Sequence, residues 1–136
     1  YTPATMSWTA SQLLSRYGLD QVDVMGVSWG GAMAQHFALQ HPKRTRRLTL
    51  LATTPGMLMV PGNPAAFTKM ADPRRYVDPE FMNEHFATLY GGVDRDGAQH
   101  QKDSHIGRLK PPSPRGYVYQ LLCMLGWTSL PALPFM

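Results

Sequence analysis

Cysteine is nearly absent: Cys123 stands alone in 136 residues. No internal disulfide framework can therefore hold the chain together, and a reducing compartment is the natural setting. Cys123 lies in "YQLLCMLGW", an apolar helical pattern that predicts a buried thiol. Long apolar runs are missing too, since nothing approaches the roughly 18 consecutive apolar residues of a transmembrane helix. No G-x-G-x-x-G occurs, so a dinucleotide site has little support. Metal-ligand spacings are also lacking. His36/His41 and His100/His105 are five apart, off the i, i+4 spacing of a helical ligand pair, and Asp94, Asp96 and Asp103 fit no calcium loop. The net charge is +4, and its densest cluster is "KRTRR", Lys43 to Arg47. That run carries no interleaved aromatics, so we read it as cations just past a helix C-terminus, where the macrodipole favours them. No nucleic-acid partner, metal or cofactor is expected.

What is present is ordinary for a globular domain: 43% hydrophobic residues, with 12 Gly and 12 Pro. The first residue is Tyr1 rather than Met, and "LPALPFM" stops without a closing element. Both suggest a piece of a longer protein. Thr2 and Pro3 read as the cap and first turn of a helix over residues 2–17. Ala10, Leu13, Leu14 and Tyr17 form its apolar face, and Gly18 stops it. "QVDVMGV" reads as a short buried strand, with Asp23 in a structural or edge contact. A second helix runs from Trp29 to Gln40, with Trp29, Met33 and Phe37 on one face and Ala32, Ala34 and Ala38 small enough for close packing. "RRLTLLAT", residues 46–53, is the next strand. Strands alternating with helices predict an α/β fold with a parallel sheet and crossover helices.

After residue 56 the pattern turns helical, broken by Pro and Gly. Asn63-Pro64 and Asp78-Pro79 each read as an N-cap followed by a first-turn proline, and Met82, Phe86 and Leu89 share a face. A last apolar helix covers 117–125, ended by Gly126. We expect a partial core in residues 1–56, a helical lid or cap in 57–115, and a helix and linker in 116–136 leading back to the rest of the core.

Chemistry concentrates in "GVSWGG". Gly26-x-Ser28-x-Gly30 follows a strand and opens a helix, which is the setting of a nucleophile elbow in an α/β-hydrolase fold. The strained turn lifts the serine hydroxyl above the sheet edge. Side chains at 26 and 30 would collide with neighbouring backbone, and Gly31 lets helix approach strand. The backbone N–H of Trp29, at a helix N-terminus, is placed to donate to a developing oxyanion. The competing readings are a tight Rossmann-like turn, or a serine that caps the helix. A nucleophilic serine needs a histidine base and an acid, in the chain order Ser, Asp or Glu, His. None of His36, His41, His85, His100 and His105 stands where that base belongs, so we expect the acid and base beyond Met136 and the second oxyanion donor before Tyr1. Alone, the fragment is expected to be nearly inactive.

"GVSWGGAMAQHFALQHPKRTRRLTLLATTPGMLMVPG" resembles the bacterial intracellular depolymerases of medium-chain-length polyhydroxyalkanoates, within the α/β-hydrolase superfamily. "DPRRYVDPEF", "LYGG" and "YQLLCMLGWTS" are similar to the same family. The resemblance implies a serine hydrolase cleaving the ester bonds of a stored polyester, with Ser28 as nucleophile. It also implies a cytoplasmic protein working at storage-granule surfaces without metal or cofactor. The family's Asp and His have no counterpart in these residues. Met57 and Met59 in "GMLMVPG" offer flexible apolar surface for an aliphatic substrate or for packing a lid. Alternatives are a small-molecule carboxylesterase or lipase, a haloperoxidase-like hydrolase, and a non-catalytic hydrolase-fold binding protein.

Overall fold

The computed structural model describes residues 2–56, 63–90 and 113–136. The chain divides into two compact units, residues 1–59 with 122–136, and residues 60–121.

The first unit opens with α1 (Pro3–Arg16). Thr2 and Thr5 cap it reciprocally: the Thr2 hydroxyl accepts from the Thr5 N–H, and the Thr5 hydroxyl accepts from the Thr2 N–H. Gly18, at φ 67, follows the last turn. The buried face differs from the expected one. Leu13 and Tyr17 are exposed at 53% and 74%, while Ser7 and Ser11 are buried. α1 packs against α2 (Trp29–Gln40). Arg44 secures this face, donating to the Ser11 carbonyl and hydroxyl, the Ser15 hydroxyl and the Leu19 and Asp20 carbonyls.

β1 (Val22–Val27) and β2 (Thr45–Leu51) pair in parallel, with Val24 opposite Leu48 and Val27 opposite Leu51. A 3₁₀ turn, Pro42–Arg44, joins α2 to β2. β2 ends two residues earlier than its apolar run suggests, because Ala52 turns to φ 46. α2 covers one face of this pair, burying Gly31, Ala32, Ala34, Gln35, Phe37 and Ala38. Gly26 belongs to that face. Alternation then puts Met25 and Val27 on the other, where they are 68% and 52% exposed. Asp23 receives a bidentate contact from Arg46 at 2.8 and 2.7 Å, which holds its carboxyl below the usual range. Two members of the basic cluster, Arg44 and Arg46, thus have structural partners.

The end of the chain also belongs to this unit. Gly126, at φ 75, follows the last helix, Cys123 is buried, and burial raises its thiol pKa. Leu130–Phe135 forms a 3₁₀ helix where no closing element was expected. Before it, Gly56 and Thr128 form an isolated antiparallel bridge, and the Pro55 carbonyl accepts from both the Ser129 N–H and the Thr128 hydroxyl at 2.8 Å. The segments flanking residues 60–121 are thereby stapled together.

Within the second unit, the described residues form α3 (Pro64–Ala71), α4 (Arg74–Val77), α5 (Pro79–Tyr90) and the start of α6 (Pro114–Met124). The Asn63 side chain accepts from the Ala65 N–H at 2.9 Å, and that of Asp78 accepts from the Glu80 and Phe81 N–H groups. Both Asx-Pro pairs therefore cap as expected. Met82, Phe86 and Leu89 form a buried cluster along one face of α5. Arg74 lies 4.4 Å over the Phe81 ring while gripping Asp72, and the Tyr117 hydroxyl donates to the Met70 carbonyl at 2.8 Å. α6 begins three residues before its apolar pattern, because Ser113 accepts from the Gly116 N–H and starts the helix at Pro114.

Candidate active site

Ser28 sits between the last residue of β1 and the first of α2, at φ 51 and ψ −122. Such backbone is costly for a residue with a Cβ and persists only where its surroundings fix it. Ser28 donates its N–H to the Leu51 carbonyl at 2.9 Å, and its carbonyl accepts from the Gly31 N–H at 2.9 Å and the Thr53 hydroxyl at 2.8 Å. The Ser28 side chain makes no capping bond to α2 and is exposed, so the helix-cap reading fails. Trp29, half-buried, supplies the first backbone N–H of the helix, at the positive end of its dipole.

The glycines around Ser28 differ in purpose. A Cβ on Gly26 would meet the Gly30 carbonyl, the Gly31 Cα at 2.6 Å and the Ala34 Cβ at 2.7 Å, so the strand tolerates nothing larger under α2. A Cβ on Gly31 would strike the Thr53 side chain. Gly30 departs from expectation: among the described residues, a Cβ there meets nothing within 4 Å. The collision anticipated at Gly30 falls instead at Gly31, because the next residue on α2 is the one facing the end of β2.

One turn further along α2, a polar network is sealed from solvent. Gln35 is 1% exposed and Ser129 fully buried. The Ser129 hydroxyl lies 2.5 Å from Gln35 Oε1, and Gln35 Nε2 donates to the Gly31 carbonyl at 3.3 Å and the Thr54 carbonyl at 3.1 Å. Gly31 and Gln35, at i, i+4, form one stripe of α2 facing Thr53 and Thr54. Reading the sequence missed Thr53, Gln35 and Ser129. The one local signal was a glutamine in an otherwise Ala- and Gly-rich helix face.

The histidines have other work. His36 Nδ1 accepts from the Trp127 indole N–H at 3.1 Å, and burial lowers its pKa. Eight residues beyond Ser28, it stands about 12 Å along the helix. His41 ends α2 against the Phe37 ring, and His85 meets the Phe81 ring edge-on in the second unit. His100 and His105 lie outside the described residues, as do Asp94, Asp96, Asp103, Met57 and Met59. Ser28, Trp29, Gly26, Gly30 and Gly31 are thus gathered at one junction, with His36 and His41 further along the helix that starts there.

A parallel strand, a serine at positive φ and a helix opening directly behind it define a class. The chain belongs to the α/β-hydrolase fold family, whose profile matches residues 1–114. Within it, the chain is 42% identical over 120 residues to the poly(3-hydroxyalkanoate) depolymerase of Ectopseudomonas oleovorans, covering 88% of this chain and 42% of that protein. It is also similar to the 2-hydroxy-6-oxo-2,4-heptadienoate hydrolase of Pseudomonas putida, 45% identical over 47 residues, which is 33% of this chain and 17% of the relative. A third relative is a soluble epoxide hydrolase of a Corynebacterium strain, 37% identical over 54 residues, or 40% and 19% of the two chains. The chain spans about two fifths of the depolymerase's length. No described helix is long and apolar enough to cross a membrane.

Proposed function

We propose that this chain carries the nucleophile of a serine hydrolase that cleaves ester bonds of aliphatic polyesters of the polyhydroxyalkanoate type. The observation that carries the proposal is Ser28 at φ 51, its hydroxyl exposed at a helix N-terminus and its backbone tied on both sides. The polyester substrate is supported by 42% identity to a poly(3-hydroxyalkanoate) depolymerase over most of the chain.

In the mechanism, Ser28 Oγ attacks the ester carbonyl carbon while a histidine from outside these residues takes its proton. The carbonyl oxygen becomes an oxyanion, to which the Trp29 N–H donates. Collapse expels the alcohol end of the polymer, which receives the proton from the histidine. Water, activated by the same base, then splits the acyl–Ser28 ester and releases the hydroxyacid end. An acid, also outside these residues, fixes the histidine tautomer. Residues 57–115 act as the lid, with Met57 and Met59 supplying adaptable apolar contacts to the alkyl chain. The polymer's granule surface in the cytoplasm is the site of action.

A second reading, hydrolysis of small soluble substrates, draws on the similarity to the heptadienoate hydrolase. Substrate profiling of the intact protein separates the two. Clearing of a medium-chain polyester latex is expected, whereas turnover of short soluble esters alone would favour the second reading. With either substrate, Ser28→Ala is expected to cut turnover by roughly a million-fold. Unchanged turnover in that variant would remove Ser28 from the chemistry.

A further inference from the structure

Ser28 is gripped by the end of β2 in an irregular way. Its N–H bonds the Leu51 carbonyl, an ordinary rung of a parallel ladder. In a strand that continued, the next rung would be the backbone N–H of residue 53 donating to the Ser28 carbonyl. β2 does not continue. Ala52 turns to φ 46, which makes it, with Ser28, one of two non-glycine residues at positive φ among those described. The Thr53 hydroxyl then donates to the Ser28 carbonyl at 2.8 Å. The same side chain occupies the space that a Cβ on Gly31 would need.

The consequence follows from peptide geometry. The Ser28 carbonyl and the Trp29 N–H belong to one planar trans peptide and point in opposite directions. Anchoring the carbonyl oxygen therefore aims the N–H. We propose that Thr53 is a positioning residue of this hydrolase: its hydroxyl orients the Ser28–Trp29 peptide so that the Trp29 N–H points at the developing oxyanion. The inference rests on Ser28 being the nucleophile. It assigns to the strained Ala52 turn the task of bringing the Thr53 hydroxyl, beside the Gly31 N–H that also bonds this oxygen, to the nucleophile's carbonyl.

The test uses the intact protein with a soluble chromogenic ester. Thr53→Val keeps the shape and removes the donor, and should lower kcat by between about 10- and 100-fold while leaving KM within about twofold. Thr53→Ser restores the donor and should recover most of the lost kcat. Thr53→Ala provides the same donor loss with less bulk should the valine variant not fold, with folding read by circular dichroism. A purely structural Thr53 would shift the melting temperature yet leave kcat of the folded enzyme unchanged. Wild-type kcat in folded Thr53→Val or Thr53→Ala, or an equal loss in Thr53→Ser, would overturn the proposal. Ser28→Ala is measured alongside. If that variant is inactive and Thr53→Val is not impaired, the positioning role alone falls; if Ser28→Ala keeps wild-type turnover, the nucleophile assignment falls and this inference with it.

Discussion

The strand–helix junction at Ser28 and the helical unit of residues 60–121 are held together by different means. At the junction the chain is fixed through its backbone. Ser28 has both its N–H and its carbonyl bonded, two residues lie at positive φ, and a glycine sits wherever a Cβ would collide with α2 or Thr53. The buried Gln35–Ser129 pair then locks the segment returning from the helical unit against α2. In residues 60–121, as described, the backbone is helix with Asx caps, and side chains do the holding: the Met82–Phe86–Leu89 cluster, the Arg74–Phe81 stack and the Tyr117–Met70 bond. A site that must hold one atom in place is over-determined by backbone contacts. A region held mainly by side-chain contacts can repack locally at lower cost.

That contrast can be broken at either end. At the junction, the largest effect on stability is expected from Gly26→Ala. Its new Cβ meets backbone atoms of α2 and should destabilise the protein by about 3 kcal/mol, read by urea denaturation. Gly30→Ala, four residues away, meets nothing within 4 Å among the described residues and should be neutral or gain up to about 1 kcal/mol. A large loss at Gly30 would return the steric constraint to that position. In the helical unit, Met82→Ala should destabilise by roughly 2–4 kcal/mol through the cavity it leaves, while the folded protein keeps its rate of labelling at Ser28. Lost labelling in folded Met82→Ala would erase the distinction between the regions.

The smallest effect concerns pH. Burial lowers the folded pKa of His36 below its unfolded value, and its Nδ1 must be unprotonated to accept from Trp127. Gln40, as a hydrogen-bond partner, pulls the pKa up, and His41 lowers it further. The unfolded chain therefore binds a proton at His36 before the folded one does. Stability should fall as pH drops below about 6.5 and level off below the folded pKa. His36→Gln should flatten that part of the melting-temperature profile, and an unaltered slope would exclude His36 as its source.

Local order was legible in the sequence. The 3.6-residue and two-residue periods, the Thr2-Pro3, Asn63-Pro64 and Asp78-Pro79 caps, and the glycines after α1 and α6 act within a few residues of one another, so their signals are contiguous. The elbow was legible for the same reason, being one strand end, one serine and one helix start. What escaped depends on distance along the chain. Ser129 reaches Gln35 across 94 residues, and Arg44 reaches Ser11 across 33. Ser7 and Ser11 look like a solvent face, yet both are buried, Ser11 under the Arg44 guanidinium. "LLAT" reads as uninterrupted strand, since nothing in an alanine reveals that Ala52 will adopt positive φ to deliver Thr53.

The most direct test of the account is where a covalent inhibitor lands. The intact protein is treated with a fluorophosphonate, digested, and the modified peptide sequenced by mass spectrometry. A single adduct on Ser28, absent from Ser28→Ala, is the expected result. An adduct on another residue, or none in a protein that still hydrolyses esters, would contradict it.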